Sequence, residues 1–442
     1  MSLDDTTTPN LPTGPTGRYV VTVAPGAGPT ALGNSGGAAT ALGEAVAASG
    51  DTDPTVLENL DMAVVTADSA RLAQLLAAVD DPGSPVTAVE PEEYVQVLGH
   101  LDTVARGTGD TLQHPLHDTA QQFVGDEDAD VEPAAIYADT AVATWGLYAV
   151  RAIPPVLFTA PWSGHGTTIA VLDTGIDLKH PDFRGGKILG SQSFVPGQTV
   201  QDGHSHGTHC AGTAAGPRVP AKGRRYGVAH GAKLLVGKVL SNSGSGTSGQ
   251  VLAGINWAIG KNATVVSMSL GSSVALGQLP HAYYEEAALR ALGRGVLIVA
   301  AAGNSGPSSP VGSPANAPSV LSVGALDHGL DVGNFSCRGF NGAGGEVNVA
   351  APGVNVYSSV PVTKGSYDTM TGTSMAAPHA AGVAAMRAQQ TGKRGLALWN
   401  ELMLTTSSLA PLPALAVGYG QVQAPLRRRP LLPITPPSPL PS

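Results

Sequence analysis

Two cysteines, Cys210 and Cys337, are all that the 442 residues contain, so no disulfide framework can hold this chain together. Charge is scarce too. Only 13% of residues are charged, against about a quarter in ordinary globular proteins. The net charge of −9 leaves no basic excess, which argues against a nucleic-acid partner. No uninterrupted apolar run reaches about 18 residues, so no membrane span is predicted. The opening Met1-Ser2-Leu3-Asp4-Asp5 lacks the basic-then-apolar pattern of a leader. As written the chain reads as cytoplasmic, with secretion left open if the start is mis-assigned; its compartment stays unassigned.

What is abundant is glycine and proline, 57 and 35 residues, beside a normal 42% of apolar residues. Stability must then come from a buried core, and this length predicts two or three parts. Residues 1–17 are polar and rich in Thr, Pro and Gly, which predicts a disordered tail. Residues 18–98 alternate strand and helix patterns: strands at Tyr19–Ala24, Leu60–Thr66, Val86–Val89 and Tyr94–Leu98, helices near Ala38–Ala48 and Ala67–Val79. That order predicts a small α+β, ferredoxin-like domain. Residues 99–139 read as a polar linker with an acidic run at Asp126–Glu132, and 428–442 as a proline-rich tail. Between them, from 140 to 427, apolar runs at 168–172, 233–240, 264–270, 296–300 and 320–323 alternate with helical segments. Such alternation predicts an α/β fold with a doubly wound, mainly parallel sheet.

Four stretches in this region carry chemistry. Asp173, in Asp173-Thr174-Gly175, closes a buried strand at the carboxyl end, where open α/β sheets place their sites. His206, in His206-Gly207-Thr208-His209, opens a helix. Asn304, in Gly303-Asn304-Ser305-Gly306, lies just past another strand. Ser374, in Gly372-Thr373-Ser374-Met375-Ala376-Ala377-Pro378-His379, opens an alanine-rich helix. Its hydroxyl would sit at the positive end of the dipole, and its N–H is one that a helix start leaves free. Those features suit a nucleophile whose attack creates an oxyanion, although a serine there is more often a plain cap.

Taken together and in this order, the four motifs resemble the subtilisin-like serine protease family. The resemblance covers roughly Thr140 to Arg427, and more weakly Arg18 to Leu98, which looks like the family's inhibitory propeptide. It implies a serine endopeptidase with an Asp173–His206–Ser374 triad, and Asn304 with the Ser374 N–H as oxyanion donors. Substrate would lie against Gly244, Ser245 and Gly246 on one side and Ser269, Leu270 and Gly271 on the other. The pocket before the scissile bond would be lined by 269–271 and 301–303, Gly303 included, with Gly312 at its floor. Nothing charged stands there, so large apolar residues are expected before the cut. Expected partners are protein or peptide substrates and the chain's own propeptide, and the enzyme is expected to be a monomer.

No cofactor or catalytic metal is expected. Asp182 matches a calcium ligand of bacterial members, so calcium remains conceivable. The accompanying loop, however, reads Gly216-Pro217-Arg218-Val219-Pro220-Ala221-Lys222-Gly223-Arg224-Arg225, which is basic and short of oxygen ligands. Cys210, four residues beyond His206, is expected to be an unpaired, buried thiol. Two other readings keep a place. One is a protease dedicated to maturing a single peptide. The other is a zinc hydrolase built on Asp202, His204, His206 and His209, for which no His-Glu-x-x-His motif exists.

Overall fold

The computed structural model describes residues 16–25, 54–98, 137–342 and 344–429. The helix expected at 38–48, most of the expected linker and most of the two tails lie outside the described residues.

The first unit is an antiparallel sheet of β1 (Arg18–Val23), β2 (Thr55–Leu57), β3 (Met62–Thr66) and β4 (Val86–Pro91), in the order β2-β3-β1-β4. A helix, Ser69–Asp80, covers one face. Its first turn is capped by Asp68, whose Oδ1 accepts the N–H groups of Ala70 and Arg71 at 3.1 and 2.9 Å. The period of two along a strand sorts the sheet's side chains. Val21, Val23, Ala63 and Val65 pack with Leu75 of the helix, while Val20, Met62 and Val64 join the core of the larger unit. Both faces are thus apolar, which is why these strands are near-continuous valine runs.

One expectation fails here. Tyr94–Leu98 was expected to close this sheet, but β5 (Tyr94–Val97) leaves it. It becomes the middle strand of a separate sheet formed with the larger unit. The chain breaks after Pro91 because Glu92 turns inward, accepting from Thr16 Oγ1 at 2.6 Å and from the Gly249 N–H at 3.1 Å.

The larger unit begins with β6 (Phe158–Thr159), β7 (Thr168–Asp173), β8 (Ile188–Ser193), β9 (Lys233–Lys238) and β10 (Ser245–Thr247). It continues through β11 (Val265–Met268), β12 (Leu270–Gly271), β13 (Leu297–Ala301), β14 (Leu321–Leu326) and β15 (Val349–Pro352), then a hairpin of β16 (Val356–Ser359) and β17 (Tyr367–Met370). Seven of these strands form an all-parallel sheet, β15-β14-β13-β11-β7-β9-β8, with helices on both faces. This is the doubly wound fold expected. Strand order reverses around β7, so Asp173, its last residue, lies at the switch point where a crevice opens. A final strand, β18 (Arg427–Arg428), pairs with β6.

The helix Thr373–Thr391 is buried almost throughout its first four turns. Alanine and glycine permit this. A Cβ on Gly382 would lie 2.6 Å from Val228 Cβ and 2.9 Å from the Ala214 carbonyl, so only glycine lets this helix pack so closely against its neighbours. Among the described residues, no helix is long and apolar enough to cross a membrane.

Candidate active site

Asp173 and His206 meet in the crevice beyond β7. His206 opens the helix His206–Ala215, and its Nδ1 lies 2.8 and 3.0 Å from the two Asp173 carboxylate oxygens. Both groups are buried, at 0% and 1% exposure, so the attraction is little screened by water. Burial alone would discharge the imidazole. The carboxylate, with the Cys210 thiol 3.8 Å from Nδ1, outweighs it and holds His206 well above its ordinary value. Nδ1–H is donated to Asp173, so Nε2 is the nitrogen that gains or loses the exchangeable proton. Among the described residues that atom is buried and has no hydrogen-bond partner, Ser374 Oγ included, whose own contacts are the Leu98 and Ser269 carbonyls.

The neighbours of this pair explain why it forms. Thr174 Oγ1 accepts the Gly207 N–H at 2.8 Å and donates to Asp202 at 2.9 Å. Asp202 also takes the N–H groups of His204, Ser205 and Thr208 and the Thr208 hydroxyl, all within 2.9 Å. One carboxylate thus ties the strand end to the helix start. The two backbones approach so closely that a Cβ on Gly207 would meet the Gly175 carbonyl at 2.3 Å. Gly175 is needed for a separate reason, its φ of +103° and a Val200 carbonyl that a Cβ would meet at 2.2 Å. Asp202 and Thr174 were not singled out in the sequence as positioning groups; two polar residues among many carry no visible signal.

Ser374 is the second residue of its helix and is fully buried beneath Leu98. Its Oγ contacts the Leu98 carbonyl and lies 3.2 Å from the Ser269 carbonyl. Asn304 Nδ2 donates to that same Leu98 carbonyl. The orientation of this amide is fixed from behind, because Asn304 Oδ1 accepts the Thr373 N–H at 2.9 Å and its hydroxyl at 2.8 Å. One carbonyl of the N-terminal segment thus sits between the serine and the asparagine.

The segment reaches there as a strand. β5 runs antiparallel between β10 and β12, pairing Ser245 with Gln96, Gly246 with Val95, Leu270 with Val97 and Gly271 with Gln96. The Val97 N–H donates to the Gly244 carbonyl at 2.9 Å, and the Leu98 N–H to the Ser269 carbonyl at 3.4 Å. Glycine keeps the channel open. A Cβ on Gly271 would meet Leu98 Cδ1 at 3.3 Å, and one on Gly303 would press on Cys337 Sγ at 2.9 Å. Gly312 bonds through its N–H to the Ala302 carbonyl at 2.9 Å, behind the same pocket. Six of the eight residues expected to line the cleft, Gly244, Ser245, Gly246, Ser269, Leu270 and Gly271, touch β5 or Leu98, while Gly303 and Gly312 neighbour each other.

The profile of the subtilase family matches residues 164–420. The chain belongs to the subtilase family. It is 40% identical to Subtilisin E of Bacillus subtilis (strain 168) over 247 residues, which are 55% of this chain and 60% of that protein. It is 40% identical to the Alkaline protease of Shouchella clausii over 296 residues, 64% of this chain and 72% of the relative. Subtilisin Savinase of Lederbergia lenta is 41% identical over 267 residues, 60% of this chain and 91% of the relative. The chain thus spans only 60% of the length of Subtilisin E.

In this subtilase the histidines of the zinc reading do not converge. His209 Nε2 bonds to the Val356 carbonyl at 2.9 Å, and burial pushes its pKa down to about 3. Asp202 is filled by N–H and hydroxyl donors. Cys210 is an unpaired, buried thiol.

The His206 shift gives a direct check. In NMR titration of the full-length Ser374→Ala chain, His206 should lose its proton well above pH 6.5, the usual value. Asp173→Asn should lower that midpoint, because it removes the adjacent opposite charge that opposes the effect of burial.

Proposed function

We propose that this chain is a serine endopeptidase made in a self-inhibited form, with its own N-terminal unit as inhibitor and first substrate. The observation that carries the reading is the Leu98 carbonyl, held by Asn304 Nδ2 against Ser374 Oγ at the end of a strand that fills the cleft.

The chemistry follows from the atoms at hand. Ser374 Oγ attacks the Leu98 carbonyl carbon while His206 Nε2 takes its proton. The new oxyanion is met by Asn304 Nδ2 and by the Ser374 N–H, free at its helix start. Asp173 holds the imidazole and stabilises it when charged. Collapse breaks the Leu98–Gly99 bond, with the His206 proton going to the leaving amine. Water then releases the acyl group by the same route in reverse. An intermolecular substrate would replace β5 strand for strand, with a large apolar residue in the pocket Leu98 occupies.

Inhibition is supported by how the N-terminal unit grips the rest. Glu90 accepts the N–H groups of Ala282 and Tyr283 at 3.2 and 3.0 Å, and Glu92 that of Gly249, so acidic side chains sit at two helix starts. His281 lies 3.4 Å from Glu90 and 3.0 Å from Glu93. Burial opposes its charge, but the two carboxylates push it up to about 9. His281 therefore strengthens the contact fully below its ordinary value, and that contribution fades as pH rises through about 9. Glu93, held below the usual carboxylate range by its bond to His281, withdraws its share as pH falls through its lowered value.

We also propose that the familiar calcium position is filled by protein. Asp182 Oδ1 accepts the Ala221 N–H at 2.7 Å, and Oδ2 the hydroxyls of Tyr226 and Tyr367 at 2.6 and 2.9 Å. Every group facing this carboxylate is a donor, whereas a calcium ion needs six to eight oxygen lone-pair ligands. The donor set does not fit the ion.

Mass spectrometry should find the unaltered chain cut after Leu98 and the Ser374→Ala chain whole; a cut in both, or at another bond, defeats the reading. Asn304→Ala should lower kcat by roughly 10²–10³ with KM nearly unchanged, measured on a peptide with leucine before the cut. The change in Tm between calcium and EDTA should be the same for the Ser374→Ala chain with and without Asp182→Asn. Terbium emission sensitised by Tyr226 and Tyr367 and abolished by Asp182→Asn would place a cation there after all.

A further inference from the structure

The helix that carries Ser374 has a proline in its second turn, Pro378. In a regular helix the N–H of residue 378 would donate to the carbonyl of residue 374. Proline has no N–H, so the carbonyl of the serine itself loses its partner. Ser374 is 0% exposed, and water cannot fill that gap. Two side chains do. Ser269 Oγ donates to the Ser374 carbonyl at 2.8 Å, and the Cys210 thiol approaches it at 3.5 Å. Ser269 is itself 1% exposed and lies between β11 and β12, on the sheet rather than on a loop.

We propose that Ser269 is a positioning residue, its hydroxyl standing in for the backbone donor that Pro378 lacks and so fixing the main chain of Ser374. The proposal rests on the serine protease reading for its kinetic consequence only. The replaced hydrogen bond is a property of the fold.

The arrangement separates two tasks. An uninterrupted first turn would set the serine by helix geometry alone. With Pro378 present, the Ser374 carbonyl is held by β11–β12, the same segment whose Ser269 carbonyl receives the Leu98 N–H at 3.4 Å. Nucleophile and substrate backbone are then referenced to one residue, Ser269, through its hydroxyl and its carbonyl. A shift of that segment would move both together. Cys210 lies 3.8 Å from His206 Nδ1 and completes the link to the base.

A double-substitution cycle tests this. Ser269→Ala removes the stand-in, and Pro378→Ala restores the N–H that makes it unnecessary. With Pro378 in place, Ser269→Ala should lower kcat roughly ten- to hundred-fold and change KM by less than about two-fold. In the Pro378→Ala background the same change should cost less than about three-fold. Tm should show the same coupling, with Ser269→Ala lowering it by roughly 2–6 °C only where Pro378 is present. Equal costs in both backgrounds, or a loss confined to KM, would overturn the proposal. A chain that shows the Tm coupling but never hydrolyses peptides would keep the hydrogen bond and refute the protease reading instead.

Discussion

A buried carboxylate facing a buried imidazole is the constraint on which the cleft depends. Asp173 ends one element and His206 begins another, and the buried imidazole is held charged and correctly turned by the carboxylate it faces. Bringing them within 2.8 Å makes two backbones touch, which requires glycine at 207 and places a hydroxyl at 174 to bond it, while Gly175 is required by its positive φ and by the Val200 carbonyl beside it. It also requires the helix start to be pinned, and Asp202 does so with one carboxylate that accepts from both sides. Fixing this one imidazole takes several residues that lie behind it.

The same economy appears on the serine side. Thr373 braces Asn304, Asn304 braces the Leu98 carbonyl, and the helix behind them is rich in alanine, with Gly382 at its closest contact, so that it can run through the core. Backbones approach closely at Gly207 and Gly382, which fits a chain with 57 glycines and two unpaired cysteines.

Much of this was legible in the sequence for physical reasons. Buried parallel strands write themselves as continuous apolar runs, and four short motifs at strand or helix ends announced a crevice. Strands β8 and β15, at the edges of the sheet, went unread. β8 is half exposed and reads Ile-Leu-Gly-Ser-Gln-Ser, with no apolar run to find. The larger failure concerned β5. Tyr94 to Val97 has the composition of a strand, and composition says nothing about which sheet a strand joins. Its true partners lie about 150 and 175 positions further along, and only the inward turn of Glu92 redirects it. The Ser269 hydroxyl escaped notice because its purpose depends on an N–H that is missing elsewhere.

Removing β5 would leave β10 and β12 facing each other across a slot one strand wide, roughly 9.5 Å from backbone to backbone. Both rims would then offer unsatisfied amide groups to whatever straightens enough to enter. Such a slot is indifferent to most side chains but intolerant of shape. Compact proteins would be refused until a loop frays, whereas unfolded chains would be admitted almost regardless of composition. Under the proposed activity, foldedness is therefore the first thing this enzyme would discriminate, ahead of any preference for a particular amino acid.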